Sequence, residues 1–175
     1  MKKPLKIALY ALLALVLIVL AYVIYVFAAY YRVEDYQSLD VVRTTCESPV
    51  PMEDAAETDV TYRIASANVG FGAYSDDYSF FMDGGEFSRA LSAEDAEDNV
   101  AGALETVLSQ NPDFVFLQEV DTDATRSYHL DEQAMAAETL TGMAWVSAQN
   151  YDSPYLFWPL TCPHGASRSG IMTFS

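Results

Sequence analysis

The longest apolar run of the chain lies near its amino terminus, between residues 7 and 29, and contains no charged residue. A helix of these 23 residues is long enough to cross a hydrocarbon core of about 30 Å. The run exceeds the apolar region of about 7 to 15 residues in a secretory signal peptide, which favours an uncleaved signal anchor. Lysines before the run and tyrosines after it predict a single-pass protein of the cell membrane, with the following domain on the extracytoplasmic side.

A strand–helix–strand unit is predicted in the middle of the chain. Residues 61–68 alternate apolar and small polar side chains, which is typical of a half-buried strand. After the N-cap residue Ser92, residues 93–108 repeat apolar side chains at helical spacing. Residues 114–117 (FVFL) form a continuous apolar run that indicates a buried strand. This order favours two parallel neighbouring strands in one sheet, and the glycine-rich residues 74–92 are predicted to be a loop.

The remaining predicted elements are shorter. Residues 131–140 indicate a second helix and residues 144–148 a strand, while residues 39–42 indicate one short strand in a polar segment. Residues 171–174 begin a further strand just as the sequence stops. We therefore expect a fragment, in which this last strand forms an open, apolar sheet edge.

The chain divides into three predicted parts. Residues 1–32 comprise cytoplasmic lysines and the transmembrane anchor, residues 33–59 a linker, and residues 60–175 the folded domain. All three lysines precede the anchor, so the remainder has six arginines against 25 acidic residues. Such a balance argues against charge-driven nucleic-acid binding, and we expect no basic nucleic-acid-binding patch. Cys46 and Cys162 do not form a disulfide framework, and a bridge between them is left open.

A carboxylate follows the FVFL strand directly, at Glu119. The carboxyl ends of parallel strands share one sheet edge, where open α/β sheets bind ligands, so Asn68 and Glu119 are expected to be neighbours. Their oxygen atoms suit Mg²⁺, Mn²⁺ or Ca²⁺. Arg126 and His129, a few residues further on, are candidates for binding a substrate phosphate. The chemistry indicated is metal-assisted hydrolysis of a phosphoester.

Each candidate residue is equally compatible with a purely structural explanation. Asn68 suits a turn, and Glu119 suits a solvated strand end. Arg126 suits a surface ion pair, and His129 suits the start of a helix. The aromatic residues of the segment 151–158 favour core or loop packing over a substrate platform.

Three segments of the chain resemble the endonuclease/exonuclease/phosphatase superfamily of metal-dependent phosphohydrolases. They are SANVGFGAY at 66–74, NPDFVFLQEVD at 111–121 and SGIMTFS at 169–175. The resemblance extends over residues 61–175 and implies an α+β fold, a four-layer sandwich of two mixed β-sheets flanked by helices. It implies that Asn68 is the metal-site asparagine and that Glu119 is the principal ligand of a divalent cation, Mg²⁺ in the usual case.

The family also has later sequence elements that this chain does not contain. Its members carry an element of the type GDFN and a terminal SDH element that supplies the catalytic histidine, and neither string occurs here. The resemblance therefore implies the amino-terminal portion of an enzyme, with the metal half of the active site and without the group that activates water. We expect this portion to be inactive alone.

The sequence thus favours a membrane-anchored phosphoesterase of nuclease, sphingomyelinase or phosphatase type. Its substrate would be a small molecule, a lipid head group or a nucleic acid. The alternative is a noncatalytic, surface-displayed binding module that retains the fold.

Overall fold

The structure is a computed structural model that describes residues 3–43 and 55–175. Its regular elements are three α-helices and four strands in the part of the chain that it describes. In chain order they are α1 (Lys3–Ala28), β1 (Ile64–Asn68), α2 (Ala93–Ser109), β2 (Phe114–Ala124), α3 (Glu132–Thr139), β3 (Trp145–Leu156) and β4 (Gly165–Phe174). Short 3-10 turns at Gly70–Gly72, Phe81–Asp83 and Thr125–Ser127 connect some of them.

The amino-terminal helix α1 is long and apolar enough to cross a membrane, as the sequence indicates. None of its residues is buried. A helix whose apolar side chains are exposed all around needs an apolar environment, which a bilayer supplies.

The four strands form one mixed sheet in the order β1-β2-β4-β3. β1 and β2 are parallel, with Asn68 opposite Gln118, which confirms the predicted pair of parallel neighbours. β4 is antiparallel to both β2 and β3. The helical and loop predictions between β1 and β2 are also confirmed, since α2 begins after the N-cap Ser92, whose side chain accepts a hydrogen bond from the Asp95 amide.

The prediction that residues 171–174 form an open edge is wrong. β4 begins at Gly165 and has strands on both sides, and its Met172 and Phe174 are almost completely buried. The strand was underestimated because residues 165–170 are small or polar and show no apolar alternation. The two edge strands are β1 and β3.

The hydrophobic core lies on one face of the sheet, beneath α2 and α3. Leu104 of α2 and Leu140, which follows the end of α3, pack with Leu117, Met172 and Phe174 of the two central strands. On the opposite face, three apolar side chains remain partly exposed: Ile64, Phe116 and Ile171. The described residues therefore form one sheet with helices on one side, and the second sheet of the sandwich stays a prediction.

The predicted linker at residues 33–59 is described only in part. Its predicted short strand corresponds to a single antiparallel bridge between Val42 and Trp145 at the edge of β3. Cys46 lies outside the described residues, so the pairing with Cys162 that the sequence leaves open stays untested.

Candidate functional site

Glu119 lies in a β-bulge in the middle of β2. The pairing of β2 with β4 shifts register between Leu117 and Val120, and the backbone of Glu119 has a left-handed φ of 55°. The sequence-based view of Glu119 as a strand end is therefore wrong, because β2 continues to Ala124. A non-glycine residue in this conformation is strained, and such strain is concentrated at functional sites. The bulge leaves the side chain of Glu119 44% exposed.

Asn68 at the end of β1 holds the Glu119 carboxylate in place. Its Nδ2 atom donates to Glu119 Oε1 at 2.9 Å. Its Oδ1 atom accepts a hydrogen bond of 2.9 Å from the backbone N–H of Gly70, which fixes the orientation of the amide because that N–H can only donate. The structure thus brings these two predicted site residues together. Asn68 acts on the carboxylate as a hydrogen-bond donor, with its oxygen engaged in the turn.

The turn after Asn68 is shaped by a close approach to α2. Gly72 has a left-handed φ of 65°, and a Cβ atom there would lie 2.5 Å from the Ala96 carbonyl oxygen. Only glycine fits this position. The adjacent Phe71 is buried as a result, and its ring lies 4.2 Å below the guanidinium carbon of Arg126.

Arg126 is a buried residue that links Glu119 to the interior. Its Nε and Nη2 atoms donate to the two carboxylate oxygens of Asp121 at 2.9 and 2.7 Å. Its Nη1 atom lies 3.8 Å from Glu119 Oε2. Burial alone would lower the pKa of Arg126, but its hydrogen bonds to Asp121 and the charges of Asp121 and Glu119 outweigh this effect and raise the pKa. The guanidinium is therefore a fixed positive charge behind the carboxylate.

A second buried carboxyl group lies behind this ion pair. Glu132, the first residue of α3, is 1% exposed, and its Oε2 atom accepts a 2.8 Å hydrogen bond from the Asp121 amide. Burial, reinforced by the charge of Asp121, raises the pKa of Glu132 to about 9. Glu132 is therefore protonated and neutral at pH 7, and the carboxyl groups that pair with Arg126 are those of Asp121 and Glu119.

Glu119 and Arg126 line a pocket of about 540 Å³. Aromatic side chains of the loop after β1, including Tyr74, form one wall, and residues of β3 and β4 form another. Burial, followed by the charge of Glu119, raises the pKa of Tyr74, so its hydroxyl stays protonated. A pocket of similar size, about 560 Å³, lies between β1 and α2, but none of the candidate residues lines it. The pocket that contains Glu119 is the candidate site because the oriented carboxylate lines it.

His164 lies in the Glu119 pocket, although its sequence context, PHG, indicates only a turn. Its ring is buried, and Nδ1 lies 3.0 Å from the Ser88 carbonyl oxygen. Since a carbonyl only accepts, Nδ1 carries the proton and Nε2 is the acceptor atom. Burial lowers the pKa of His164 and keeps the ring neutral. No local signal marks this residue, because its burial depends on the distant Ser88.

The structure does not bring His129 to the same pocket. Its Nδ1 atom lies 2.5 Å from Asp123 Oδ1, and both side chains are more than half exposed. They line a separate pocket with Tyr25, Asp152 and Arg168. Of the two residues predicted to bind substrate phosphate, Arg126 alone is beside Glu119.

The carboxylate oxygens of Glu119 are of the ligand type that hard divalent cations such as Mg²⁺ prefer. Within residues 3–43 and 55–175, no group of three His, Cys, Asp or Glu side chains is arranged to hold a metal ion. Magnesium sites commonly use only one or two carboxylates and complete the shell with water and substrate phosphate. The partly exposed, oriented Glu119 carboxylate fits that pattern as the protein ligand, with Asn68 as the group that orients it.

Comparison with known proteins gives no relative that would assign this site: no family model, curated protein or solved structure matches the chain.

Proposed function

We propose that the chain is the metal-binding part of a divalent-metal-dependent phosphoesterase. The observation that carries the proposal is the strained bulge at Glu119, which presents an oriented carboxylate to a pocket. Backbone strain of this kind clusters at functional sites, and among the described non-glycine residues with positive φ Glu119 is the one that lies in a strand bulge. The resemblance of 111–121 and 66–74 to the endonuclease/exonuclease/phosphatase superfamily supports the same assignment.

In the proposed site, Glu119 holds Mg²⁺, Mn²⁺ or Ca²⁺, and Asn68 fixes the carboxylate that does so. A bound cation of this kind polarises a phosphoryl oxygen and neutralises charge in the transition state. Arg126 keeps two of its nitrogen atoms on Asp121, so Nη1 is the atom that faces the carboxylate and the substrate phosphate beside it. The neutral Glu132 keeps the local field from becoming too negative for a phosphate.

The group that activates water is assigned by the resemblance to an SDH element beyond the motifs present here. His164 lies in the pocket but does not correspond to that element, and we give it no role in proton transfer. The same resemblance supports a sandwich in which a second sheet covers the face that contains Phe116 and Ile171.

We also propose that α1 anchors the protein in a membrane with the domain on the extracytoplasmic side. Support comes from its apolar side chains, none of which is buried, and from the lysines at its start. The intact mass of membrane-extracted protein tests this proposal. A mature chain that begins near Tyr30 would show that the helix is a cleaved signal.

A hydrolysis assay tests the proposed activity. The chain should be joined to a segment that supplies GDFN and SDH elements, and assayed with a chromogenic phosphodiester and the matching monoester at varied Mg²⁺. We expect Mg²⁺-dependent turnover that Glu119→Gln removes and that the exposed helix variant Glu105→Gln retains. Equal turnover of both variants at low Mg²⁺ would overturn the assignment of Glu119.

A further inference from the structure

The loop between β3 and β4 exposes several large apolar side chains. Phe157, Trp158 and Leu160 are 52%, 65% and 76% exposed. The surrounding residues 153–163 contain no charged side chain. The sequence favours core or loop packing for this aromatic segment, but the structure leaves these three side chains largely outside the core. A contiguous exposed apolar patch of this kind marks an interaction surface.

This loop lies beside the last two turns of α1. The hydroxyl of Tyr22 donates a 3.4 Å hydrogen bond to the Tyr155 carbonyl, and the Tyr155 amide donates to the hydroxyl of Tyr25 at 3.1 Å. The rings of Tyr22 and Phe157 meet edge to face, with centroids 5.4 Å apart. The contacts fix the depth of the loop relative to the apolar helix.

The depth follows from the length of the helix. Lys6 is the last charged residue before the apolar run. A hydrocarbon core of about 30 Å takes about 20 residues from that point, which places its outer boundary near Val26. Tyr22 and Tyr25 are then within about one helical turn of that boundary. Phe157, which packs on Tyr22, must lie at the same level.

We propose that residues 157–160, the membrane loop, lie in the outer interface of the bilayer that α1 crosses. The proposal rests on the proposed anchoring by α1. Tryptophan and other aromatic side chains are enriched at this level of membranes because they combine an apolar ring with a polar edge. The partner is the lipid surface itself, reached by apolar insertion, because the acidic domain lacks the basic segment that would attract anionic lipids.

This contact would bring the Glu119 pocket close to lipid head groups. His164, the last residue of the connection between β3 and β4, lines that pocket and donates its backbone N–H to the Trp158 carbonyl at 3.1 Å. Gly170, whose partner on β2 is Val120, lies five residues beyond Gly165 on β4, or about 17 Å along the strand. The pocket therefore extends from the level of Glu119 to the base of the membrane loop.

Tryptophan fluorescence of the full chain in phosphatidylcholine vesicles tests the proposal. The chain has two tryptophans, and Trp145 lies at the far end of β3 from the loop, roughly 35 Å away. Spin-labelled phosphatidylcholine with its label near the head group should quench most of the Trp158 emission. The Trp158→Phe variant, which retains only Trp145, should lose that quenching.

Equal, weak quenching of the wild type and Trp158→Phe would overturn the membrane loop. Extraction with alkaline carbonate separates this failure from that of the anchor. A chain that is washed off the vesicles overturns both the anchor and the loop contact, whereas a chain that stays bound without Trp158 quenching overturns only the loop contact. Neither result depends on metal binding or hydrolysis.

Discussion

The Asn68 Nδ2 atom donates a 2.9 Å hydrogen bond to the Glu119 Oε1 atom, which joins the end of β1 to the bulge in β2. The bond spans 51 positions of sequence and is made possible by the parallel register that pairs Asn68 with Gln118. It restricts the carboxylate to one orientation before any cation binds. Preorganisation of a ligand by a neighbouring group strengthens metal binding, because less freedom is lost on binding.

Replacing Asn68 by alanine should weaken Mn²⁺ binding by about 10-fold, since it removes the donor that orients Glu119. Binding is measured by electron paramagnetic resonance of free Mn²⁺, with circular dichroism to check the fold. Asn150→Ala is the matched control, because Asn150 lines the same pocket and, among the described residues, forms no hydrogen bond with Glu119. Equal Mn²⁺ affinity of the wild type and Asn68→Ala would contradict the orienting role.

Replacing Arg126 by lysine should destabilise the domain by about 3 kcal/mol, because an ammonium group cannot make the two-point contact and leaves Asp121 incompletely paired. Urea unfolding in detergent, followed by tryptophan emission, measures the loss. The control is Arg168→Lys, because Arg168 forms an exposed ion pair with Asp152 at 3.3 Å. This substitution should lower the free energy of unfolding by less than about 0.5 kcal/mol. Similar losses of stability in both variants would show that the two hydrogen bonds from Arg126 to Asp121 do not stabilise the domain more than an exposed ion pair does.

Stability should fall between mildly acidic and alkaline pH because of Glu132. Its pKa is raised from 4.5 to about 9, so the folded chain holds a proton that the unfolded chain releases. This contribution to the free energy of unfolding is complete below pH 4.5 and is lost once the pH has risen through about 9. Between these values it declines by on the order of 1 kcal/mol per pH unit.

Glu132→Gln should therefore flatten the pH dependence of the free energy of unfolding. Measured against the wild type, the variant should be more favourable at about pH 8 than at about pH 5. The exposed Glu138→Gln on the same helix should retain the wild-type slope. A slope that is the same in the wild type and in Glu132→Gln would mean that Glu132 is ionised when buried.

Amide hydrogen exchange should show strong protection in both central strands. Met172 and Phe174 of β4 should exchange as slowly as Val115 and Leu117 of β2, because all four are buried and both strands are paired on each side. The edge strand β1 should exchange faster. Rapid exchange at residues 172–174 would show that they form an open sheet edge, as the sequence indicates.

Local sequence signals predicted the elements that are built from local interactions. α2 was predictable because its apolar residues repeat at helical spacing and Ser92 caps its start. The proximity of Asn68 and Glu119 was predicted from the rule that parallel strands share a carboxyl edge. It arises from the parallel register, which places Asn68 opposite Gln118, although β2 continues past Glu119. Both predictions needed only short-range patterns and one topological rule.

The rest of the site depends on contacts between distant segments. The bulge at Glu119 is a property of the pairing between β2 and β4, and the latter strand looks polar over residues 165–170. Arg126 suits a surface ion pair in sequence, but the structure buries it against Asp121 and the ring of Phe71. The buried Glu132, which accepts from the Asp121 amide, is an ordinary polar helix residue in sequence. Burial of such charged groups is visible only once the packing partners are known.

Binding of Mn²⁺ to Glu119→Gln tests the central claim most directly. The substitution preserves size and leaves one acceptor oxygen for the Asn68 donor, but it removes the ligand charge, so affinity at the site should fall by at least about 10-fold. Glu105→Gln, on the exposed side of α2, removes the same charge from the acidic surface and controls for nonspecific attraction. We expect one Mn²⁺ site in the wild type. This site should be lost in Glu119→Gln and retained in Glu105→Gln. Equal Mn²⁺ binding by the two variants would contradict the claim that Glu119 is the metal ligand.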